Sequence, residues 1–302
     1  LTPPEGPGRA YSSDVPPAHT PHPPRPTHPQ SAQFLFLGTG TSGGIPIIAC
    51  GCDTCTSDDP RDNRTRSGAA VRWTDPMGKD RLVLIDTTPD LRQQALRHRL
   101  NRCDAILYTH NHVDHTFGLD EVRRFNSVMN APIDIYADAH TMGFLRNTFR
   151  HIFDRNANIN NSFVASLIPN MIVPERAIAL YGLRFTPIPL LHGKQPVLGF
   201  RIESDTGADM GGAFPMAYCT DVSAVPTDSW RLLEGLGTLV LDGLRFRHHP
   251  THLTIDQAVG IAERVGARQT WLTHIAHEVR HSVVDDELPA GINLAYDGLA
   301  LG

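Results

Sequence analysis

The sequence predicts an α/β fold, and three observations carry that expectation. Apolar runs of strand length, each bounded by turn-forming residues such as Gly, Pro, Asn or Asp, recur from residue 34 to the end of the chain. Segments with apolar residues at helical spacing are placed between them, so strands and helices alternate. A chain of 302 residues, 40% hydrophobic and 20% charged, is long enough to bury a full core as one large or two small globular domains.

Residues 1–32, including SSDVPPAHTPHPPRPTHPQ, are rich in Pro and His and nearly free of large apolar side chains. Such a composition cannot offset its ordering entropy by burial, so a disordered Pro-rich tail is expected there, with the folded domain over 33–302. His19, His22 and His28 are scattered among its prolines and carry no expectation of a metal site. Strands are expected at 34–37, 69–73, 82–85, 105–108, 133–136, 183–188, 198–202, 216–219, 238–241, 270–272 and 292–296, because each run is short, apolar and punctuated. Helical spacing joins Leu119, Val122, Phe125 and Met129, and recurs over 142–153 and 255–265, where Thr254 and Gln257 form a capping-box signal. Asn and Pro punctuate residues 154–176, which read as a surface insertion, with a loop beside the site as the alternative.

A net charge of −5 leaves no broad cationic surface, which disfavours nucleic acid as a partner. No run approaches the roughly 20 apolar residues that span a bilayer, and the N-terminus lacks the pattern of a secretion signal, so a cytoplasmic protein without a membrane partner is expected. In that compartment Cys50, Cys52 and Cys55, packed into CGCDTC, read as a metal site rather than as disulfides. Cys103 and Cys219 sit in apolar contexts and are expected to be buried thiols.

GTGTSG at 38–43 has dinucleotide-binding spacing, but it continues through Gly44 and Pro46 into the cysteines instead of opening a helix. It is therefore expected to be a tight loop passing close to the site. The chemistry gathers in THNHVDH at 109–115, directly after the apolar run AILYT. His110 and His112 are two apart, face the same way in extended chain, and can grip one ion; Asp114 and His115 follow on a turn and can serve a second. His192, Asp221 and His274 likewise close apolar runs, FTPIPLL, MAYCT and TWLT, and are the further candidate ligands. Asp86 ends LVLI and is expected to orient a ligand histidine through a hydrogen bond.

With Asp86, His110-x-His112-x-Asp114-His115, His192, Asp221 and His274 in this order, the sequence resembles the metallo-β-lactamase superfamily over about residues 34–300. The resemblance implies a four-layer αββα sandwich with metals at one edge of two sheets. Within the superfamily the chain is most similar to the phosphodiesterases of the carbon–phosphorus lyase pathway, which cleave ribosyl 1,2-cyclic phosphate. LGTGTSGGIPIIACGCDTC, HLT at 252, THIAH and the closing YDG carry that similarity. It implies His110, His112, His192 and Asp221 on one ion and Asp114, His115, Asp221 and His274 on the other, with Mn or Zn as the catalytic metal. Cys50, Cys52 and Cys55 are expected to hold a separate structural Zn with His277 as fourth ligand. His252 is expected beside the metals as general acid or as donor to the phosphate oxygens, and with Asp114 and Asp86 completes the expected catalytic groups. The implied activity is hydrolysis of a small phosphodiester by a metal-activated water; a homodimer is left open. The rival readings are other hydrolases of the superfamily (thioesterase, lactonase, tRNA 3′-processing ribonuclease) and a non-catalytic protein like one of pyrroloquinoline quinone biosynthesis. Glu278, beside His277, has no assigned role.

Overall fold

Successive residues of the first strand, β1 (Gln33–Gly38), are apolar on both sides: Phe34 and Phe36 enter one buried cluster, Leu35 and Leu37 another. A strand buried on both faces must lie in a covered sheet. In the computed structural model, which describes residues 32–157, 163–207 and 210–302, it belongs to the first of two seven-stranded sheets. β1 is followed by β2 (Gly68–Thr74), β3 (Asp80–Ile85), β4 (Ala105–Leu107), β5 (Ile133–Ala137) and β6 (Leu167–Met171), and β14 (Ala300–Leu301) pairs with its other edge. The second sheet runs from β7 (Ile178–Leu180) through β8 (Leu183–His192), β9 (Gln195–Ser204), β10 (Met216–Cys219), β11 (Thr238–Asp242) and β12 (Gln269–Thr273) to β13 (Ile292–Leu294). Both sheets show three antiparallel pairings followed by three parallel ones, counted from β14 in the first and from β7 in the second.

The sheets face each other across Phe34, Phe36, Val83 and Ile85 on one side and Phe185, Phe200, Met216 and Tyr218 on the other. Full burial of such side chains is worth about 1.5–3 kcal/mol each, so this layer contributes strongly to stability. On the outer face of the first sheet lie residues of α1 (Leu91–Arg97), α3 (Arg123–Met129) and α4 (Ala139–Thr148); on that of the second, α6 (Ile255–Val265) and α7 (His281–Glu287). The result is the expected αββα sandwich. Among the described residues no helix is long and apolar enough to cross a membrane.

The structure corrects several expectations. The reading of 154–176 as an insertion or loop misses β6, which pairs in parallel with β5; Pro169 is tolerated because β6 is an edge strand. The tail assigned to residues 1–32 lies outside the described residues except for Ala32, which is buried in the inter-sheet core. The helix expected over 142–153 is two pieces, α4 and α5 (Arg150–Phe153), broken at Phe149, whose ψ of 45 leaves the helical region. Cys103 and Cys219 are buried as expected.

The capping box on α6 is present: Thr254 Oγ1 accepts from Gln257 N at 3.2 Å and Gln257 Oε1 accepts from Thr254 N at 3.0 Å. Thr254→Ala is expected to cost about 1 kcal/mol, read as a lower urea midpoint with an unchanged slope.

Candidate metal centre

Polar residues at strand ends converge on one edge of the sandwich. Asp86 follows β3, His110 and His112 follow β4, His192 closes β8, Asp221 follows β10 and His274 follows β12. Asp114 and His115 lie on the single turn α2 (Val113–Thr116). Three of these residues hold left-handed backbone: Asp86 at φ 65, Asp221 at φ 56 and His274 at φ 58. Such angles are uncommon outside glycine and cluster at functional sites, where the surroundings enforce them.

The candidate ligand atoms of His110, His112, His192 and Asp221 lie within 4.8 Å of one another, as do those of Asp114, His115, Asp221 and His274. Asp221 belongs to both quartets. Its Oδ2 is 3.1 Å from His115 Nε2, and its Oδ1 is 3.3 Å from His274 Nε2 and 3.9 Å from His110 Nε2. Ligands sharing one ion at about 2.0–2.2 Å stand about 3–3.6 Å apart, so most of these spacings suit ligands around a common cation. Those same Nε2 atoms of His110, His115 and His274 are fully buried and make no hydrogen bond of ordinary geometry. Both quartets therefore fit divalent ions.

The opposite ring nitrogens fix the tautomers. His192 Nδ1 donates to the Thr251 carbonyl at 2.6 Å, and His115 Nδ1 donates to Asp86 Oδ2 at 2.7 Å, which turns both Nε2 lone pairs toward the cluster. Asp86 also accepts from Thr109 N and Oγ1, so the carboxylate that meets His115 is itself held in place. Burial holds His110, His112 and His192 below the usual imidazole range, keeping them neutral and able to ligate. For His115 burial acts the same way, but the carboxylates of Asp221, Asp114 and Asp86 outweigh it and lift it well above that range. His274 is likewise lifted against burial, chiefly by Asp221, to about 8.

His252 is buried beside the quartets, its ring stacked on His274 at 4.7 Å and edge-on to His192 at 4.5 Å. Its Nδ1 meets Asp242 Oδ2 at 2.6 Å. That oxygen also accepts from Val222 N at 2.7 Å, so Asp242 serves as an orienting group although it could join His252 and His274 in a third candidate cluster. Sequence reasoning missed Asp242, yet it closes the apolar run TLVL just as the assigned ligands close theirs.

The cysteine expectation also assembles. Sγ of Cys50, Cys52 and Cys55 stand 3.3, 3.4 and 3.7 Å from His277 Nδ1. The edge of a zinc tetrahedron built from sulfur and imidazole is about 3.5 Å, so a closed structural site fits these residues. A hydrogen bond from the Cys55 backbone, helped by the neighbouring thiols, lowers Cys52 to about 6, while burial and the same thiols raise Cys55 to about 11, so in the metal-free cluster the negative charge gathers on Cys52. The glycine loop runs beside this region: Thr41 N donates to Ile275 O and Ile275 N to Thr39 O, immediately after His274. A Cβ on Gly38 would stand 2.1 Å from Arg66 O, so its glycine allows close backbone approach rather than nucleotide binding.

A family model described as a beta-lactamase superfamily domain matches residues 81–275. The chain belongs to the metallo-β-lactamase superfamily. It resembles a solved diphosphatase from the PhnP family, with 41% identity and a TM-score of 0.78 over 89% of this chain and 96% of that one. It is 32% identical over 267 residues to the octanoyltransferase of Porphyromonas gingivalis, covering 88% of this chain; the chain spans only 50% of that protein. Zn(2+)-bound PqqB from Methylobacterium extorquens shares the fold, at 19% identity and a TM-score of 0.66 over 89% of this chain and 99% of that one. The superfamily fold implies divalent metals, which the two quartets are suited to hold.

Because His274 binds a proton below about 8 in the metal-free protein, an ion that takes its Nε2 must displace that proton. Apparent affinity for Zn or Mn is expected to rise with pH through about 8 and to go on rising beyond it, because His115, lifted well above the imidazole range, must give up its proton as well. Calorimetric titration of chelator-treated protein in buffers of different ionisation enthalpy reads the released protons directly.

Proposed function

We propose that the protein is a metal-dependent phosphodiesterase that opens small, cyclic diesters such as ribosyl 1,2-cyclic phosphate, with two divalent ions in the quartets and one zinc at the cysteines. Two bound divalent ions would supply a water acidified toward neutral pH and positive charge for the phosphoryl oxygens. The chain's own part is to hold Asp221 between the quartets, to fix His115 and His192 through Asp86 and the Thr251 carbonyl, and to place an imidazole over the reacting phosphorus.

The observation that carries the reading is the His252–Asp242 pair. A sugar or alkyl diester expels an alkoxide, which needs a proton at the moment the P–O bond breaks. Asp242 holds Nδ1 of His252, leaving Nε2 as the atom to deliver that proton. A thioester expels a thiolate, which leaves without such help, so a thioesterase has less use for this pair. The similarity to a diphosphatase favours a second reading at the same site, attack on a phosphoanhydride, whose phosphate leaving group also departs unprotonated. A panel of a 2′,3′-cyclic nucleotide, bis-p-nitrophenyl phosphate, a nucleoside diphosphate, a glutathione thioester and a lactone distinguishes these readings. Mn and Zn are compared in each assay, because an all nitrogen and oxygen ligand set does not choose strongly between them.

Asp221→Ala is expected to lose both ions and to cut turnover by roughly 10³-fold or more, since one carboxylate serves both quartets. Metal analysis showing two ions and near-normal rates would remove the assignment. His252→Ala is expected to keep its ions and lose about 10²-fold or more on the cyclic nucleotide. It should lose far less on bis-p-nitrophenyl phosphate, whose leaving group departs without a proton. Equal losses on both would leave His252 as a donor to the phosphate oxygens, and no loss on either would leave it without a part in the reaction.

A further inference from the structure

Glu278 takes no part in either quartet. It follows His277 in the segment that runs from the metal cluster past the cysteine sulfurs, and its Oε1 accepts from Arg245 Nη1 at 3.0 Å and from Arg247 Nη2 at 3.4 Å. Both arginines sit on the turn between β11 and α6 that also carries His252. Backbone bonds pin the base of this turn: Gly243 N to Thr273 O, Leu244 N to Leu253 O, Leu253 N to Val222 O, Ile255 N to Arg245 O and Ala276 N to Leu244 O. Phe246, Arg247 and His248 beyond the base are exposed. On the metal side the turn is held by His192 at the Thr251 carbonyl and by Asp242 at His252 Nδ1; on the other side Glu278 reaches its arginines with Oε1, while its Oε2 stands 3.7 Å from His277 Nε2.

We propose that Glu278 is a positioning residue, which sets where His252 stands over the cluster by clamping Arg245 and Arg247. The two guanidiniums are brought to one carboxylate oxygen, so without that charge they repel each other and the turn opens. An ion pair exposed to this degree adds little to global stability. Its effect is geometric: a proton donor must stay within hydrogen-bond reach of the leaving oxygen, and displacement of about 1 Å from mutation elsewhere can cost about 10²-fold. The link to turnover rests on the phosphodiesterase reading; the link to the turn does not.

The test uses the full-length, metal-loaded protein with Glu278→Ala and with Glu278→Ala combined with Arg247→Ala. Arg247 is 77% exposed, so its truncation disturbs no core. Amide exchange over residues 243–253 and turnover of a 2′,3′-cyclic nucleotide and of bis-p-nitrophenyl phosphate are measured. Glu278→Ala is expected to speed exchange in the turn about tenfold and to lower turnover of the cyclic nucleotide about tenfold, with at most about a threefold loss on the nitrophenyl ester. Removing Arg247 as well relieves the repulsion and should recover most of both effects, which a general loss of structure would not do. Unchanged exchange in Glu278→Ala, or no recovery in the double variant, overturns the proposal whatever the rates. If exchange rises and recovers while the wild-type protein cleaves no diester, the positioning role stands and the phosphodiesterase reading falls.

Discussion

The site depends on the burial of four carboxylates, Asp86, Asp114, Asp221 and Asp242, at one edge of the sandwich. An uncompensated buried carboxylate costs several kcal/mol, so each must be answered by donors or by positive charge. Asp86 is answered by Thr109 and His115, and Asp242 by Val222 N and His252 at Oδ2, its buried Oδ1 making no hydrogen bond. Asp114 and Asp221 are different. Apart from Thr220 Oγ1 on Asp221, they face the ring nitrogens of His110, His115 and His274 at 3.1–3.9 Å, mostly longer than a good hydrogen bond. Protons on His115 and His274 balance the charge in the metal-free protein. Divalent cations replace those protons with more charge at shorter range, so folding itself leaves a place that favours cations.

Holding the carboxylates there requires backbone that most sequences avoid. The left-handed angles at Asp86, Asp221 and His274 turn each chain away from its strand so that the next residues leave the sheet while the side chain stays at its edge. Ties from distant parts of the chain stabilise this geometry. Asp297, near the C-terminus, accepts from Thr39 N and Oγ1 and from Thr65 N and Oγ1, and Thr39 in turn pairs with the residue after His274. The first loop, the last turn and a candidate ligand thus form one connected unit.

Much of this was legible in the sequence for one physical reason: a charged or imidazole side chain that closes a buried apolar strand has to emerge where strands end. His192, Asp221 and His274 show that pattern singly, and THNHVDH shows it in concentrated form. Asp242 shows it too, but a single Asp before a glycine is also what an ordinary turn looks like, and only its contact with His252 separates the two. The seven-residue helices α1 and α7 escaped because Leu91 and Val284 are the only buried apolar side chains in them, too few to make a periodic pattern. The edge strand β6 escaped because LIPNM exposes Ile168 and Met171 and contains Pro, which argues against a strand except at an edge.

The proteins that resemble this chain carry different names, diphosphatase, octanoyltransferase and PqqB, and the solved diphosphatase and PqqB each match its fold over 89% of its length. A fold shared this widely fixes where a site forms but not which bond breaks there. That choice falls to groups outside the ligand sets. On the proposed reading His252 is such a group: it belongs to neither quartet yet lies against a histidine of each, and with Asp242 at Nδ1 its Nε2 is the nitrogen left for a substrate. Divalent ions held by the quartets would favour displacement at phosphorus or carbon alike, whereas a proton donor at this place would select for leaving groups that need one. On the proposed reading, the turn that carries His252 is therefore where this chain would select its leaving group, outside the candidate ligand sets.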